Sequence, residues 1–328
     1  MERPPRCAEE RRALISLMAH RNGSGAALLA GALIAASLAA SAIIPAAAQD
    51  FGDTPYVQTP QNVVDRMLEI AKIRRDDYVI DLGSGDGRMI ITAAKRYGAR
   101  GFGVDLDRRL VRLSNENARK AGVADRAVFY QRDLHATDVS PASVISIYLL
   151  PEVNLMIRGK LLATLKPGTR IVSHDYGMGQ WPADFQTELD APGKTVGIGQ
   201  RSKIFYWMVP GNAAGRWRWR LDAGSGGGSE FELALQQNFQ VIEGMLAVGG
   251  RSTRVESRLA GDGIAFKAAL DGAEYEFSGR ITNHAIDGTA RVSRDGAARE
   301  LKWSATRVEI GELRHAGLTV EQAVEEMR

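Results

Sequence analysis

Two hydrophobic periods divide this chain. From residue 61 onward, Val63, Val64, Met67, Leu68 and Ala71 recur at helical spacing and predict a helix over 61–73. Short apolar runs then alternate with further helical stretches. The runs are 79–82, 101–104, 127–131, 143–148 and 169–172, and the helices fall at 89–96, 108–121 and 155–165. Residues 194–209 supply a final strand pair. Strands alternating with helices predict an open, mostly parallel α/β sheet. Near residue 211 the period falls to two. Phe231, Leu233 and Leu235 alternate with polar residues, as do Tyr275, Phe277 and Gly279. The pairs Asp262-Gly263, Asp271-Gly272 and Asp295-Gly296 punctuate the segment as hairpin turns do. About eight short antiparallel strands follow from that spacing, forming a small barrel or sandwich. In Arg216-Trp217-Arg218-Trp219-Arg220, period two puts tryptophans inside and arginines outside, without a nucleic-acid or lipid contact. The expected boundaries are 54–209 for the α/β domain, 211–308 for the β domain and 309–328 for a C-terminal helix.

The first 48 residues follow neither period. Arg3, Arg6, Arg11, Arg12 and Arg21 precede an apolar run at 26–44, and Pro45-Ala46-Ala47-Ala48 follows it. This is the layout of a secretory signal peptide, and the run is also long enough for a membrane anchor. Either way the folded body is expected outside the cytosol, periplasmic or held at the inner membrane. That placement conflicts with any cofactor made in the cytosol. The net charge is only +3 and the arginines of this segment contribute to it, so the basic balance gives no reason to expect nucleic acid. Cys7 is the single cysteine, which excludes a disulfide framework and a cysteine metal site, and five scattered histidines make no metal site.

The candidate chemistry centres on Asp81-Leu82-Gly83-Ser84-Gly85-Asp86-Gly87-Arg88, where an apolar strand runs through a glycine-rich turn into a helix. The glycines admit positive φ and a close ligand. A dinucleotide pyrophosphate wants bare N–H groups at such a turn, and carboxylates at Asp81 and Asp86 would repel it. S-adenosyl-L-methionine carries an ammonium and a sulfonium, so the acids suit it. About twenty residues on, Asp105 ends the second strand where this architecture places a ribose-binding acid; Asp107 is the competing candidate or a helix cap. Asp133, after the third strand, faces the adenine amine or serves as a turn residue. Tyr56 and Thr59 either fold back over the methionine end or belong to a linker that starts a helix.

Residues 54 to about 209 resemble class I S-adenosylmethionine-dependent methyltransferases, with their Rossmann-like seven-stranded sheet. More narrowly they resemble the lysine methyltransferases of ATP synthase c-subunit and adenine nucleotide translocase, with their bacterial relatives. Pro55-Tyr56-Val57-Gln58-Thr59-Pro60, the turn from Asp81 to Arg88, Gly103-Val104-Asp105, and Ile147-Tyr148-Leu149-Leu150-Pro151-Glu152 carry the likeness. It implies methylation of a lysine side chain on a protein, one that is small and membrane-associated. The cleavable-looking leader and the added β domain depart from the family. Tyr148, Glu152 and Asn154 follow the fourth strand, where this fold presents its substrate. Tyr148 is positioned to orient the amine, and Glu152 either relays its proton or caps the helix after Pro151. His174 and Asp175 are secondary candidates, with a solvated turn as their simpler role. A small-molecule or lipid methyltransferase and a non-catalytic envelope binding protein are the alternatives.

Overall fold

The computed structural model describes residues 56–313 and 325, apart from 198 and 223–227. The leader over 1–48 and most of the expected C-terminal helix lie outside the described residues. Helix α1 (Gln61–Ile70) buries Val63, Val64, Met67 and Leu68, the face that the pattern marks. It is followed by β1 (Tyr78–Leu82), α2 (Arg88–Thr92) and β2 (Arg100–Asp105). Next come α3 (Arg108–Lys120), β3 (Ala127–Gln131), β4 (Val144–Ile147), α4 (Pro151–Thr164) and β5 (Arg170–His174). An antiparallel pair, β6 (Phe185–Asp190) and β7 (Arg201–Met208), completes a seven-stranded sheet of order β3-β2-β1-β4-β5-β7-β6. The first five strands pair in parallel, and β7 runs antiparallel to both of its neighbours. This is the Rossmann-like α/β sheet that the alternating pattern predicts.

The strand order reverses between β1 and β4, which opens a crevice at the carboxyl ends of those strands. Three expected boundaries move. The helix expected over 89–96 forms in two parts, because Ala93–Tyr97 winds as a π-helical turn that buries Ala93 and Ala94. Helix α4 begins at Pro151 rather than 155, with proline in its first turn where a missing N–H costs nothing. The final strand pair does not come from 194–209 alone, since β6 lies at 185–190. At the sheet edge β6 buries none of its six residues, so it carries no apolar alternation to read.

Eight antiparallel strands form the second sheet: β8 (Gly215–Leu221), β9 (Ser229–Asn238), β10 (Val241–Val248), β11 (Arg251–Arg258), β12 (Gly263–Leu270), β13 (Ala273–Ile281), β14 (Ala285–Arg294) and β15 (Ala297–Ile310). Strand β15 pairs with β14 on one side and β8 on the other, so the order runs β11-β10-β9-β8-β15-β14-β13-β12 and the sheet curls nearly shut. Between the end strands the Ser257 hydroxyl donates to the Ala265 carbonyl. One core fills the interior, with Trp217, Trp219, Phe231, Phe277 and Trp303 at its centre. Arg216 and Arg218 point outward and pair with Glu232. Because β15 extends to Ile310, the β domain passes the expected end at 308 and takes the first two residues assigned to the terminal helix.

The β sheet also reaches into the α/β core. The β9–β10 turn presents Phe239 at a φ of 54°, and its ring stacks on Trp181 at 5.9 Å. The Arg158 guanidinium lies 5.5 Å from the same ring. Beside it, Trp181 donates through Nε1 to Gln240 Oε1 at 3.0 Å, and Gln240 Nε2 donates to the Pro182 carbonyl at 2.6 Å and to Asp184 Oδ1 at 2.9 Å. Both polar ends of a fully buried glutamine are therefore satisfied across the junction. Truncating a buried phenylalanine costs about 3–5 kcal/mol. Phe239→Ala is expected to lower the stability of the chain by a figure in that range. Denaturant melts followed by tryptophan fluorescence will measure it, and an unmoved midpoint would show that the junction contributes nothing.

Candidate active site

The turn after β1 is built on backbone that only glycine adopts easily. Gly83, Gly85 and Gly87 have φ of 80°, 53° and 84°. The Gly83 and Ser84 N–H groups both donate to the Val104 carbonyl at 2.9 Å, which ties the turn to the end of β2. Asp105 completes the tie: Oδ2 accepts from Gly85 N–H at 3.0 Å and Oδ1 from Asp107 N–H at 2.9 Å. Asp107, which also lines the cavity, caps α3 by accepting from Arg109 N–H at 2.7 Å. A carboxylate accepts at about four lone-pair sites, so Asp105 keeps capacity for a further donor.

The lead before α1 folds over the turn. A Cβ on Gly85 would stand 2.4 Å from Tyr56 Cε2, and one on Gly83 would stand 2.7 Å from Leu149 Cδ2. Arg88 fastens the lead. Its guanidinium forks onto Asp86, at 2.5 Å for the shortest contact, and donates to the Thr59 carbonyl at 2.6 Å. The Asp86 charge is thereby offset, although Asp86 also lines the cavity. Arg88 thus holds the lead and the turn together.

Asp81 is buried at the carboxyl end of β1, where Ser146 Oγ donates to it at 2.6 Å. Burial pushes its carboxyl up to about 7, and the charges of Asp105 and Asp86 push the same way. Ser84 Oγ is buried with no hydrogen-bond partner among the described residues. A cavity of about 590 Å³ opens above these groups. Tyr56, Thr59, Asp81, Gly83, Ser84, Gly85, Asp86, Asp105 and Asp133 all line it. Gly87 does not: it starts α2, and a Cβ there would strike the Phe129 ring at 2.6 Å. Asp133 sits exposed at the rim with Oδ1 accepting from His135 N–H at 2.8 Å, so it is both turn residue and lining residue. Several cavity-lining carboxylates, an unsatisfied hydroxyl and a glycine-rich turn fit a ligand carrying cationic and hydroxyl groups, as S-adenosylmethionine does.

The acceptor end departs further from expectation. Tyr148 lines the cavity; Glu152 and Asn154 do not. Asn154 is fully buried, and its amide donates to the Tyr176 and Gly177 carbonyls at 3.3 Å each, so it holds the chain after β5. Glu152 lies half-buried in the first turn of α4, where a carboxylate favours the positive end of the helix dipole. The residues next to Tyr148 are His174 and Asp175, and neither belongs to a solvated turn. The Tyr148 hydroxyl donates to Asp175 Oδ2 at 3.2 Å, and the Tyr148 and His174 ring centroids are 3.9 Å apart. Burial first, and the Asp175 carboxylate second, push the Tyr148 hydroxyl above the usual phenol range.

His174 has no exposed surface. Thr59 Oγ1 lies 3.1 Å from Nδ1 and Ser202 Oγ 2.8 Å from Nε2. Burial lowers its pKa from 6.5 to about 4, so the ring is neutral at pH 7 and its 3.5 Å approach to Asp175 is not an ion pair. Lys194, from the β6–β7 loop, closes the cluster at 2.7 Å from Asp175 Oδ2. No local pattern singles out Lys194.

Comparison with known proteins places this site in a family. The model of the ANTKMT methyltransferase domain matches residues 81–185. A protein-lysine N-methyltransferase of Saccharolobus islandicus is 47% identical over 128 residues, which is 39% of this chain and 80% of that protein. The human ATP synthase c-subunit lysine N-methyltransferase is 31% identical over 133 residues, 40% of this chain; the chain spans only 56% of its length. Among solved structures, an RNA methyltransferase from Salinibacter ruber in complex with S-adenosyl-L-homocysteine is 45% identical, covers 47% of this chain and 94% of its own, and superposes with a TM-score of 0.43.

His174 gives this site a pH signature. The unfolded ring takes a proton near 6.5 and the folded ring only near 4. Stability from this group is therefore full above 6.5 and lost as pH falls toward 4. His174→Gln is expected to remove that part of the acid-side fall in thermal midpoint. Melting curves of both proteins across this range will measure it, and parallel curves would refute the assignment.

Proposed function

The chain belongs to the family of S-adenosylmethionine-dependent protein-lysine N-methyltransferases, and from that premise we propose that it methylates the side-chain amine of a lysine on a membrane-associated protein. The observation that carries this reading is one cavity with Asp81 and Asp105 at the end of β1 and β2 and Tyr148 at the end of β4. When bound there, S-adenosylmethionine supplies a methyl carbon on a sulfonium. Asp105 holds the ribose hydroxyls, Asp81 faces the cationic methionine end, and Asp133 takes the adenine amine. Tyr56, held over the glycine turn, shields the cofactor from water. The acceptor amine is about 99.9% protonated at neutral pH, given a lysine pKa near 10.4. The chain must therefore align this amine and receive its proton. The apolar run at 26–44 supports a membrane-proximal acceptor, with the folded body exported or anchored at the inner membrane.

Two measurements test the reading. Asp81 ionises near pH 7, and the ionised form attracts the cationic ligand. Cofactor affinity is expected to rise as pH is raised from about 6 to about 8, because the carboxylate charges over that interval. Asp81→Asn should bind more weakly and with a flat pH profile, and Asp105→Ala should lose roughly tenfold, the cost of a charge-assisted hydrogen bond. Titration calorimetry gives both numbers. The acceptor class is tested by mass spectrometry of membrane proteins from cells with and without the gene. A lysine methylation that vanishes with the gene is the expected result. An unchanged methylation pattern, with cofactor binding intact, would direct the activity to a small molecule or lipid. No cofactor binding at all would leave a non-catalytic binding protein.

A further inference from the structure

Asp175 follows β5 directly and is held at a φ of 62°, a conformation that aspartate and asparagine tolerate better than most residues. Its two oxygens have separate partners. Oδ1 accepts from the backbone N–H of Lys203 on β7 at 3.1 Å, which fixes the carboxylate. Oδ2 accepts from the Tyr148 hydroxyl at 3.2 Å and holds Lys194 Nζ at 2.7 Å. Tyr148 and Tyr176 both line the cavity, and their rings stack at 6.3 Å with 20° between planes. An ammonium on an alkyl stem thus occupies a fixed carboxylate beside aromatic rings, two hydrogen bonds from the cavity.

Lys194 belongs to the loop joining β6 and β7, and its side chain is only 7% exposed although the residues around it in the loop are exposed. Its ammonium also donates to the Arg201 carbonyl at 2.6 Å. Two residues on, Val196 of the same loop lines the cavity. The chain itself therefore supplies the chemical group that an acceptor lysine would present, from the loop between two strands.

We propose that Asp175 and the Tyr148 hydroxyl are the receptor for the acceptor's ammonium, and that Lys194 fills this receptor until an incoming lysine displaces it. The proposal rests on the protein-lysine reading above and makes Asp175, not Glu152, the carboxylate that meets the substrate. In the transfer, the seated ammonium releases one proton to the Asp175 carboxylate, which passes it to water. The freed nitrogen lone pair forms the N–C bond to the methyl carbon while the C–S bond breaks and its electron pair stays on sulfur. The positive charge moves from sulfur to nitrogen, and a methylated ammonium and S-adenosylhomocysteine leave.

The test uses the full chain loaded with S-adenosylhomocysteine, Lys194→Gln and Asp175→Asn variants, and n-butylammonium as probe, with n-butanol as the uncharged control. Asparagine tolerates positive φ and keeps an oxygen for Lys203, so Asp175→Asn is expected to fold, which circular dichroism checks. Titration by NMR should show butylammonium binding on the order of tenfold tighter in Lys194→Gln, where a charge-assisted competitor is gone. Binding should disappear in Asp175→Asn and be absent for butanol throughout. A second arm follows radiolabelled methyl transfer to poly-L-lysine. There Lys194→Gln should lower KM with kcat kept, while Asp175→Asn raises KM and lowers kcat. Weaker butylammonium binding in Lys194→Gln would make Lys194 a support for Asp175 and overturn the proposal, as would unchanged binding in Asp175→Asn. The binding arm decides the receptor by itself. The expected binding pattern with transfer to no amine would leave the receptor standing and refute the lysine reading instead.

Discussion

The turn between β1 and α2 has to bring bare backbone within reach of a ligand while its own N–H groups stay bonded. Three positive φ values achieve the first, and the Val104 carbonyl with the Asp105 carboxylate achieves the second. The lead and the loop after β4 take their positions from this turn. Tyr56 can lie on it because Gly85 has no side chain, and Leu149 can approach because Gly83 has none. Arg88 then binds the turn's own acid to the backbone of the preceding lead. A side chain at Gly83 or Gly85 would push the lead or the β4 loop away and open the cavity to water.

The two ends of the cavity treat charge differently. At the cofactor end, Asp81 is buried with a hydroxyl donor, and its carboxyl is held near neutrality. Such a group gains most from a ligand that brings positive charge into a poorly solvated place. At the acceptor end, Asp175 already has a cation and a phenol, and the neighbouring imidazole is kept neutral by burial. If Asp175 receives an ammonium as proposed, a neutral His174 adds no second fixed cation beside Lys194 to repel it.

The β sheet meets this arrangement through an aromatic insertion, with the Gln240 hydrogen bonds and an Arg258–Asp184 ion pair beside it. Phe239 stacks on Trp181, Trp181 Nε1 donates to Gln240, and Gln240 donates in turn to the Pro182 carbonyl. Trp181 and Asp184 sit on the segment between β5 and β6, downstream of Asp175. The junction therefore braces the stretch of chain that leads into the hairpin carrying Lys194. The β domain has its own core.

The amino-acid sequence by itself determined the parallel strands, the glycine turn, the acids at Asp81 and Asp105, and the tryptophan-in, arginine-out pattern of β8. These depend on contacts within one element or between a strand and the turn that follows it, and local period and spacing record such contacts. The lead around Tyr56 and the segment from Tyr148 to Glu152 carried the resemblance to a family. The tertiary structure alone decided that β6 exists, because an edge strand with no buried residue leaves no pattern. It alone removed Asn154 from the site, since a buried asparagine satisfying carbonyls and one facing a substrate are the same letter in a sequence. It alone brought Lys194 to Asp175. That contact requires β7 to fold back antiparallel on β5, so no window of neighbouring residues contains the two charges in the relation that makes them a site.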